Sequence, residues 1–159
     1  MSLTALPYVE QVFSTPIGVS LMPDDSCKDS SPKALVGQYL SRTLVNTSPK
    51  VPRLANVETM TLFGGMSRIL GAGLCDIEVI WLQAATVQYK HKEAGKIFVY
   101  DPRCGASAAF MRSGPFGKPM VFLPFPNLVL IVPSYLQWMI APLGDDDLLQ
   151  LSRYIFVLE

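Results

Sequence analysis

The residues best suited to nucleophilic catalysis in this sequence are one cysteine and one histidine. His91 is the only histidine and lies in the charged segment 89–93, whereas Cys104 directly follows Arg103, whose cation can lower the thiol pKa. A Cys–His hydrolase would have to pair these two side chains. Nothing near Cys104 supplies an oxyanion hole, and the sequence contains no Gly-x-Ser-x-Gly, no phosphate-binding glycine loop and no Cys-x-x-Cys. We therefore expect that the chain is not an enzyme.

Three consecutive aspartates form the densest cluster of carboxylates. Asp145, Asp146 and Asp147 could hold a cation such as Ca²⁺ between subunits, and the alternative is a plain exposed turn. The three cysteines and the histidine do not have the spacing of a zinc site. The sequence predicts no cofactor and no further metal site.

The balance of polar and apolar residues predicts that the chain associates with itself. Half of the residues (50%) are hydrophobic and only 16% are charged, which leaves little charge to cover a solitary domain. Asp101 ends an apolar strand, and Arg103 follows two residues later. The pair is compatible with a salt bridge at the strand end or with a contact between subunits, so Asp101 and Arg103 are the candidate contact residues of a homo-oligomer.

Other bulk features limit the partners and the compartment. The 13 basic and 13 acidic residues balance, and no basic cluster is present, so any binding of viral or other nucleic acid is expected to be weak. Three widely spaced cysteines suggest free thiols in a reducing compartment. The first residues do not resemble a signal peptide. The uncharged segment 120–144 contains four prolines that would break a membrane helix, so we expect buried strands there and no membrane span.

Alternating apolar residues predict that most of the chain forms strands. Strands parted by turns, without alternating helices, are typical of an antiparallel sandwich or barrel in a single domain, 1–159. The spacing of Val57, Met60, Phe63 and Met66 predicts one inserted helix, from Asn56 to Leu70. The predicted strands are Tyr8–Met22, Ala34–Asn46, Leu74–Leu82, Lys96–Asp101, Met120–Phe125, Leu128–Val132, Tyr135–Ala141 and Ser152–Leu158.

The segment from Leu54 to Arg103 resembles the middle of a viral single jelly-roll coat protein. The resemblance rests on the predicted helix, the strand Asp76–Trp81 and the strand Gly95–Pro102, and the last two strands resemble the closing pair of the roll. It implies an all-β fold, an antiparallel β-sandwich of jelly-roll type with one inserted helix, and a structural protein that self-assembles into a shell. Such a protein would be found in the virion or the host cytoplasm. Coat proteins of this kind often carry a basic N-terminal arm, which this sequence lacks.

Two alternatives to the coat protein remain open. The segment Val99–Arg103 is similar to the Leu-x-Asp-x-Arg signature of the thirty-kilodalton plant viral movement proteins, with valine in place of leucine. That resemblance implies the same jelly-roll core and binding of single-stranded nucleic acid. The second alternative is the small hydrolase that would use Cys104 and His91.

Overall fold

The structure, a computed structural model, describes residues 8–12, 15–22, 31–43, 50–71, 75–88, 92–100 and 119–159. Strands dominate these ranges, and one helix is present among them. In chain order the elements are β1 (Tyr8–Val12), β2 (Thr15–Leu21), α1 (Pro32–Thr43), β3 (Pro52–Phe63), β4 (Arg68–Gly71), β5 (Ile77–Thr86), β6 (Ile97–Tyr100), β7 (Met120–Phe122), β8 (Leu128–Pro133), β9 (Gln137–Ile140) and β10 (Leu148–Leu158).

The strands form two antiparallel sheets. The large sheet has six strands in the order β1-β2-β8-β5-β10-β3, and the small sheet has four in the order β4-β9-β6-β7. Every pairing in both sheets is antiparallel. The predicted fold class, an all-β antiparallel sandwich with one helix, is confirmed.

Alternation along β5 shows how the core is divided into two layers. Ile80 and Leu82 pack between the two sheets together with Trp138 of the small sheet. Ile77 and Val79 point to the opposite face of the large sheet, where α1 covers them. Successive side chains of a strand point to opposite faces, so one strand serves both layers.

The helix α1 begins at a recognisable cap and buries one stripe against the large sheet. The Ser31 hydroxyl accepts a hydrogen bond from the Ala34 N–H at 3.3 Å, and Pro32 occupies the first turn, where its missing N–H costs nothing. Four side chains at helical spacing are buried against the sheet: Leu35, Val36, Tyr39 and Leu40. The segment from Ala34 to Thr43 is therefore helical, and its prediction as a strand was wrong.

The predicted helix from Asn56 to Leu70 was also wrong, because this segment forms β3, a turn and β4. β3 lies along β10 in register from Leu148↔Phe63 to Leu158↔Pro52, with one bulge. Gly64 and Gly65 form the turn that follows β3, and Gly65 has a φ of 74° that suits glycine. Phe63, expected in a buried stripe, is 58% exposed.

Among the described strands β3 is the last one of the large sheet, and many of its side chains are exposed. Leu54 and Val57 are exposed, as is Phe63 at the strand end. The Asn56 side-chain oxygen accepts a hydrogen bond from the Val57 N–H at 2.9 Å. The Asn56 side chain therefore occupies one main-chain donor of β3.

The other predicted strands fall close to their expected positions. The segment predicted as one bent strand from Tyr8 to Met22 forms the hairpin of β1 and β2. The uncharged segment 120–144 forms β7, β8 and β9, as the prolines suggested. Within the described ranges, no helix has the length and apolar character needed to cross a membrane.

The contact between α1 and β2 depends on a glycine. A Cβ atom added at Gly18 would lie 3.0 Å from the Ile131 Cβ and 3.0 Å from the Tyr39 Cδ2, closer than side chains normally pack. Gly18 therefore lets the Tyr39 ring lie directly on the sheet.

We expect Gly18→Ala to lower the free energy of unfolding by about 1–3 kcal/mol, because the added methyl group overpacks this contact. Gly37→Ala is the matched control, since a Cβ there meets nothing within 4 Å. In the interior of α1 it should stabilise the protein by about 0.5–1 kcal/mol. Urea unfolding followed by tryptophan fluorescence measures both. An equal effect of the two substitutions would contradict the close packing at Gly18.

Candidate functional site

A pocket of about 350 Å³ opens where the C-terminal half of α1 meets the end of the large sheet. Its size lies within the range of small-molecule sites, which run from about 300 to 1,000 Å³. Apolar side chains, two phenols and a few polar groups line it: Tyr39, Leu40, Thr43, Lys50, Asp76, Ile77, Pro133, Tyr135 and Leu158. This combination of apolar walls and few polar groups is typical of a ligand site.

The two tyrosines place their phenol rings at the same pocket. Tyr39 is buried against the sheet, and Tyr135 is partly exposed at the turn between β8 and β9. Burial raises the pKa of Tyr39, and the proximity of Tyr135 raises it further. The Tyr39 phenol therefore stays protonated throughout the physiological range and can donate a hydrogen bond.

Asp76 is held firmly at the start of β5. Its N–H donates to the Phe156 carbonyl at 3.1 Å, and its carbonyl accepts from the Ser134 N–H at 3.1 Å. Its side-chain Oδ2 accepts a hydrogen bond from the Leu158 N–H at 2.8 Å. The carboxylate is exposed at the pocket, so the backbone fixes an anion at the pocket wall.

Lys50 brings a cation to the same pocket. The residue precedes Val51, whose N–H and carbonyl both bond to the backbone of Glu159, at 2.9 and 3.1 Å. In the described part of the chain, no carboxylate lies within 4.0 Å of the Lys50 ammonium group. The pocket thus has an anion and a cation that are not paired with each other.

On the other face of β5, a buried ion pair joins the two sheets. Glu78 is 1% exposed and accepts hydrogen bonds from Arg153, from Nε at 3.0 Å and from Nη2 at 2.5 Å. The Trp138 indole N–H, on β9 of the small sheet, donates to the same carboxylate at 3.0 Å. Arg153 Nη1 also bonds to Glu58 of β3 at 3.1 Å.

Every nitrogen of the Arg153 guanidinium has a carboxylate partner in this network. The hydrogen bonds to Glu78 raise the pKa of Arg153 above its ordinary value, although burial opposes the rise. Three of the five N–H donors of the guanidinium are thus bonded to carboxylates, and the side chain is largely buried. The network therefore ties β3, β5, β9 and β10 together and is structural.

The three aspartates that could hold a cation or form a plain turn occupy a turn before β10. Asp147 is buried, and its two carboxylate oxygens accept from the Gln88 N–H at 2.8 Å and from the Gly144 N–H at 2.9 Å. Asp145 and Asp146 are exposed. Within the described ranges, no group of three or more histidines, cysteines or acidic residues is arranged to hold a metal ion. The Asp147 carboxylate therefore stabilises this turn by hydrogen bonds to the backbone. The cation site stays a prediction.

The other sequence-predicted residues lie outside the described ranges. They are Asp101 and Arg103, the candidate subunit contact, and Cys104 and His91, the candidate hydrolase pair. The homo-oligomer inferred from composition also stays a prediction.

Sequence reasoning did not find the residues that matter most in the structure. Glu78 was not singled out in the sequence, yet its side chain is buried between the two sheets. Opposite charges within two apolar strands, Glu78 in β5 and Arg153 in β10, were a signal of a buried pair. The pocket residues Tyr39, Lys50 and Tyr135 gave no such signal. They are far apart in the sequence and meet only where α1 packs on the large sheet.

Comparisons with known proteins identify the fold. No protein-family model matches the chain, and no curated protein is similar to it in sequence. Among solved structures, an oxidoreductase of the 2OG-Fe(II) oxygenase family from Burkholderia pseudomallei matches with a TM-score of 0.54 and 9% identity, over 98% of this chain and 76% of that one. A Pseudomonas putida prolyl-4-hydroxylase matches with a TM-score of 0.50 and 9% identity, over 90% and 73%. RmlC from Streptococcus suis, in complex with dTDP-D-xylose, has a TM-score of 0.47 and 10% identity, over 94% and 69%.

These neighbours correct the expected function. The oxidoreductase and the prolyl-4-hydroxylase are enzymes, so the prediction of a viral coat or movement protein without enzymatic activity was wrong. The double-sheet sandwich implied by the coat-protein resemblance is nevertheless the fold observed. At 9% identity the likeness establishes the fold alone.

We expect Glu78→Gln to lower the free energy of unfolding by about 3–5 kcal/mol, because it leaves the Arg153 cation buried without its main counter-charge. Glu58→Gln is the matched control, since its side chain is 39% exposed. It should cost about 1 kcal/mol or less, as an exposed ion pair contributes little. Urea denaturation provides the comparison, and similar costs for the two variants would mean that Glu78 is not the buried anchor.

We also expect the Cys75 thiol to react slowly with iodoacetamide. Burial raises its pKa, and the negative charge of Glu78, whose Oε1 accepts a bond from Cys75 Sγ at 3.8 Å, raises it further. The thiolate is the nucleophile, so a raised pKa lowers the rate near pH 8. Mass spectrometry of the Cys75 peptide compares alkylation of the native chain and of the chain in urea. Equal or faster labelling of the native protein would contradict this environment.

Proposed function

We propose that the protein binds a small organic substrate in the pocket between α1 and the large sheet. The observation that supports this most directly is the pocket itself: a concave site of about 350 Å³ lined by apolar walls, two phenols, and an anion and a cation that are not paired with each other. Such convergence of a few polar groups in an apolar cleft is the usual character of a substrate site. The enzymatic neighbours on this fold favour a substrate over a purely structural ligand.

The polar groups of the pocket are suited to orienting a substrate and to proton donation. Tyr39 has a raised pKa and retains its proton, so it can donate to a substrate oxygen without ionising. The Lys50 ammonium group can bind a negatively charged group of the substrate as a point charge. Asp76 is positioned by its backbone and can accept a hydrogen bond from a donor on the substrate.

The iron chemistry named in the description of one neighbour does not fit this chain. Non-haem Fe(II) oxygenases generally hold the metal with two histidines and one carboxylate. These 159 residues contain a single histidine, His91. The described space between the sheets is filled with apolar side chains around the Glu78–Arg153 pair. We therefore derive no iron-dependent step for this protein.

The proposed pocket can be tested with a neutral aromatic probe. Benzyl alcohol, titrated into ¹⁵N-labelled protein, should shift amide resonances of the second half of α1, of Asp76 and Ile77 and of the turn at Tyr135. Affinity in the millimolar range is expected for a fragment of this size (~4 kcal/mol of binding free energy).

A pair of variants on α1 provides the control. Thr43→Trp places a large ring at the pocket and should abolish these shifts, since Thr43 lines the wall. Ser41→Trp adds the same ring to an exposed position of the same helix and should leave them unchanged. Shifts that are scattered over the surface, or that survive Thr43→Trp, would refute the pocket as the binding site.

A further inference from the structure

We infer that the ligand of this pocket is a zwitterion of amino-acid type, with a carboxylate held by Lys50, an ammonium group held by Asp76 and an apolar side chain packed on the apolar wall. This inference rests on the proposed function, because it names the class of ligand for the same pocket. It is carried by two opposite charges at the pocket that are not paired with each other, and by the apolar residues that line the same pocket.

The first step is the charge of the pocket. Lys50 and Asp76 both line it, and they form no ion pair with each other. A ligand that covers both charges removes them from water, and each must then find an opposite charge. A singly charged ligand satisfies one and leaves the other uncompensated, whereas a zwitterion satisfies both. Electrostatic complementarity of this kind determines specificity.

The second step is the availability of the Asp76 carboxylate. Its Oδ2 accepts from the Leu158 N–H at 2.8 Å, which fixes the orientation of the group. A carboxylate has about four lone-pair sites, so this single bond leaves acceptor capacity for an ammonium group. The Asp76 backbone is bonded on both sides, so the carboxylate is preorganised and its ordering costs little on binding.

The third step is the apolar surface of the pocket. Leu40, Ile77, Pro133 and Leu158 line the same pocket and offer no hydrogen-bonding side chains. An aliphatic or aromatic ligand side chain can bury apolar area against them. The Tyr39 ring, packed on Gly18, adds a rigid aromatic wall. The site therefore combines recognition of both ends of a zwitterion with a pocket for its side chain.

Three probes with one common phenyl ring test the inference: L-phenylalanine, 3-phenylpropanoate and phenethylamine. The second lacks the ammonium group and the third lacks the carboxylate. Binding to the full chain, followed by ¹⁵N chemical shifts at pH 7, should be about tenfold tighter for phenylalanine than for either of the others, as expected for one additional charged hydrogen bond.

Two variants test which residue binds each charged group of the ligand. Lys50→Met removes the cation and keeps the length of the side chain. It should weaken phenylalanine and 3-phenylpropanoate about tenfold and leave phenethylamine unchanged. Asp76→Asn keeps an oxygen acceptor for the Leu158 N–H and removes the charge. It should weaken phenylalanine and phenethylamine and leave 3-phenylpropanoate unchanged.

The possible outcomes separate this inference from the proposed function. If 3-phenylpropanoate or phenethylamine binds the pocket as tightly as phenylalanine, the pocket function stands and the zwitterion is wrong. If none of these probes and no benzyl alcohol shifts the pocket resonances, the proposed function itself fails. The comparison of the three probes on the wild-type chain decides the question even if a variant does not fold.

Discussion

The buried ion pair between Glu78 and Arg153 is the interaction on which the rest of the structure depends. Removing two charges from water costs several kcal/mol for each ion, so such a pair is tolerated only when hydrogen bonds satisfy its remaining groups. Here the Trp138 indole N–H donates a further hydrogen bond to the Glu78 carboxylate, and Glu58 accepts a further hydrogen bond from the Arg153 guanidinium. The four residues come from four strands and from both sheets. The relative position of the sheets at this end of the sandwich is thus fixed by directional bonds as well as by apolar packing.

The same constraint determines where the pocket can be. With Glu78 held between the sheets, the alternation of β5 turns Ile77 toward α1, and Asp76 directly precedes the strand. The anion of the pocket and the anion of the buried pair are therefore two residues apart in the chain, yet they serve different purposes. The first is exposed and holds a single backbone hydrogen bond, and the second is almost completely buried and fully bonded. Burial, and not residue type, separates the binding carboxylate from the structural one.

Much of the fold could be predicted from the sequence, because interior strands carry either a period-2 alternation or, as in β8, a short continuous apolar run. The strands β5, β6, β8 and β10 are buried on one or both faces, and each lies close to its predicted position. The prediction of a helix in place of β3 failed for a physical reason. β3 is an edge strand that exposes Leu54, Val57 and Phe63, so burial does not impose alternation on its apolar residues. The prediction for the segment of α1 failed because its apolar residues occupy both odd and even positions, as in a strand buried on both faces. The spacing of Leu35, Val36, Tyr39 and Leu40 is nevertheless that of a helical stripe. The candidate pocket depends on that helix, so it could not be found without the structure.

Among the described strands β3 pairs only with β10, so its other edge is a potential site of aggregation. An unpaired strand edge invites a strand of another molecule to add to the sheet. The Asn56 side chain, folded back onto the Val57 N–H, withdraws one donor near the middle of that edge, next to the bulge at Ile155 and Phe156. A strand approaching from solvent would have to displace this amide before it could form an uninterrupted ladder. One polar side chain, with a bulge in the neighbouring pairing, thus divides a twelve-residue edge into two shorter segments, each a poorer template for fibrous aggregation than the whole.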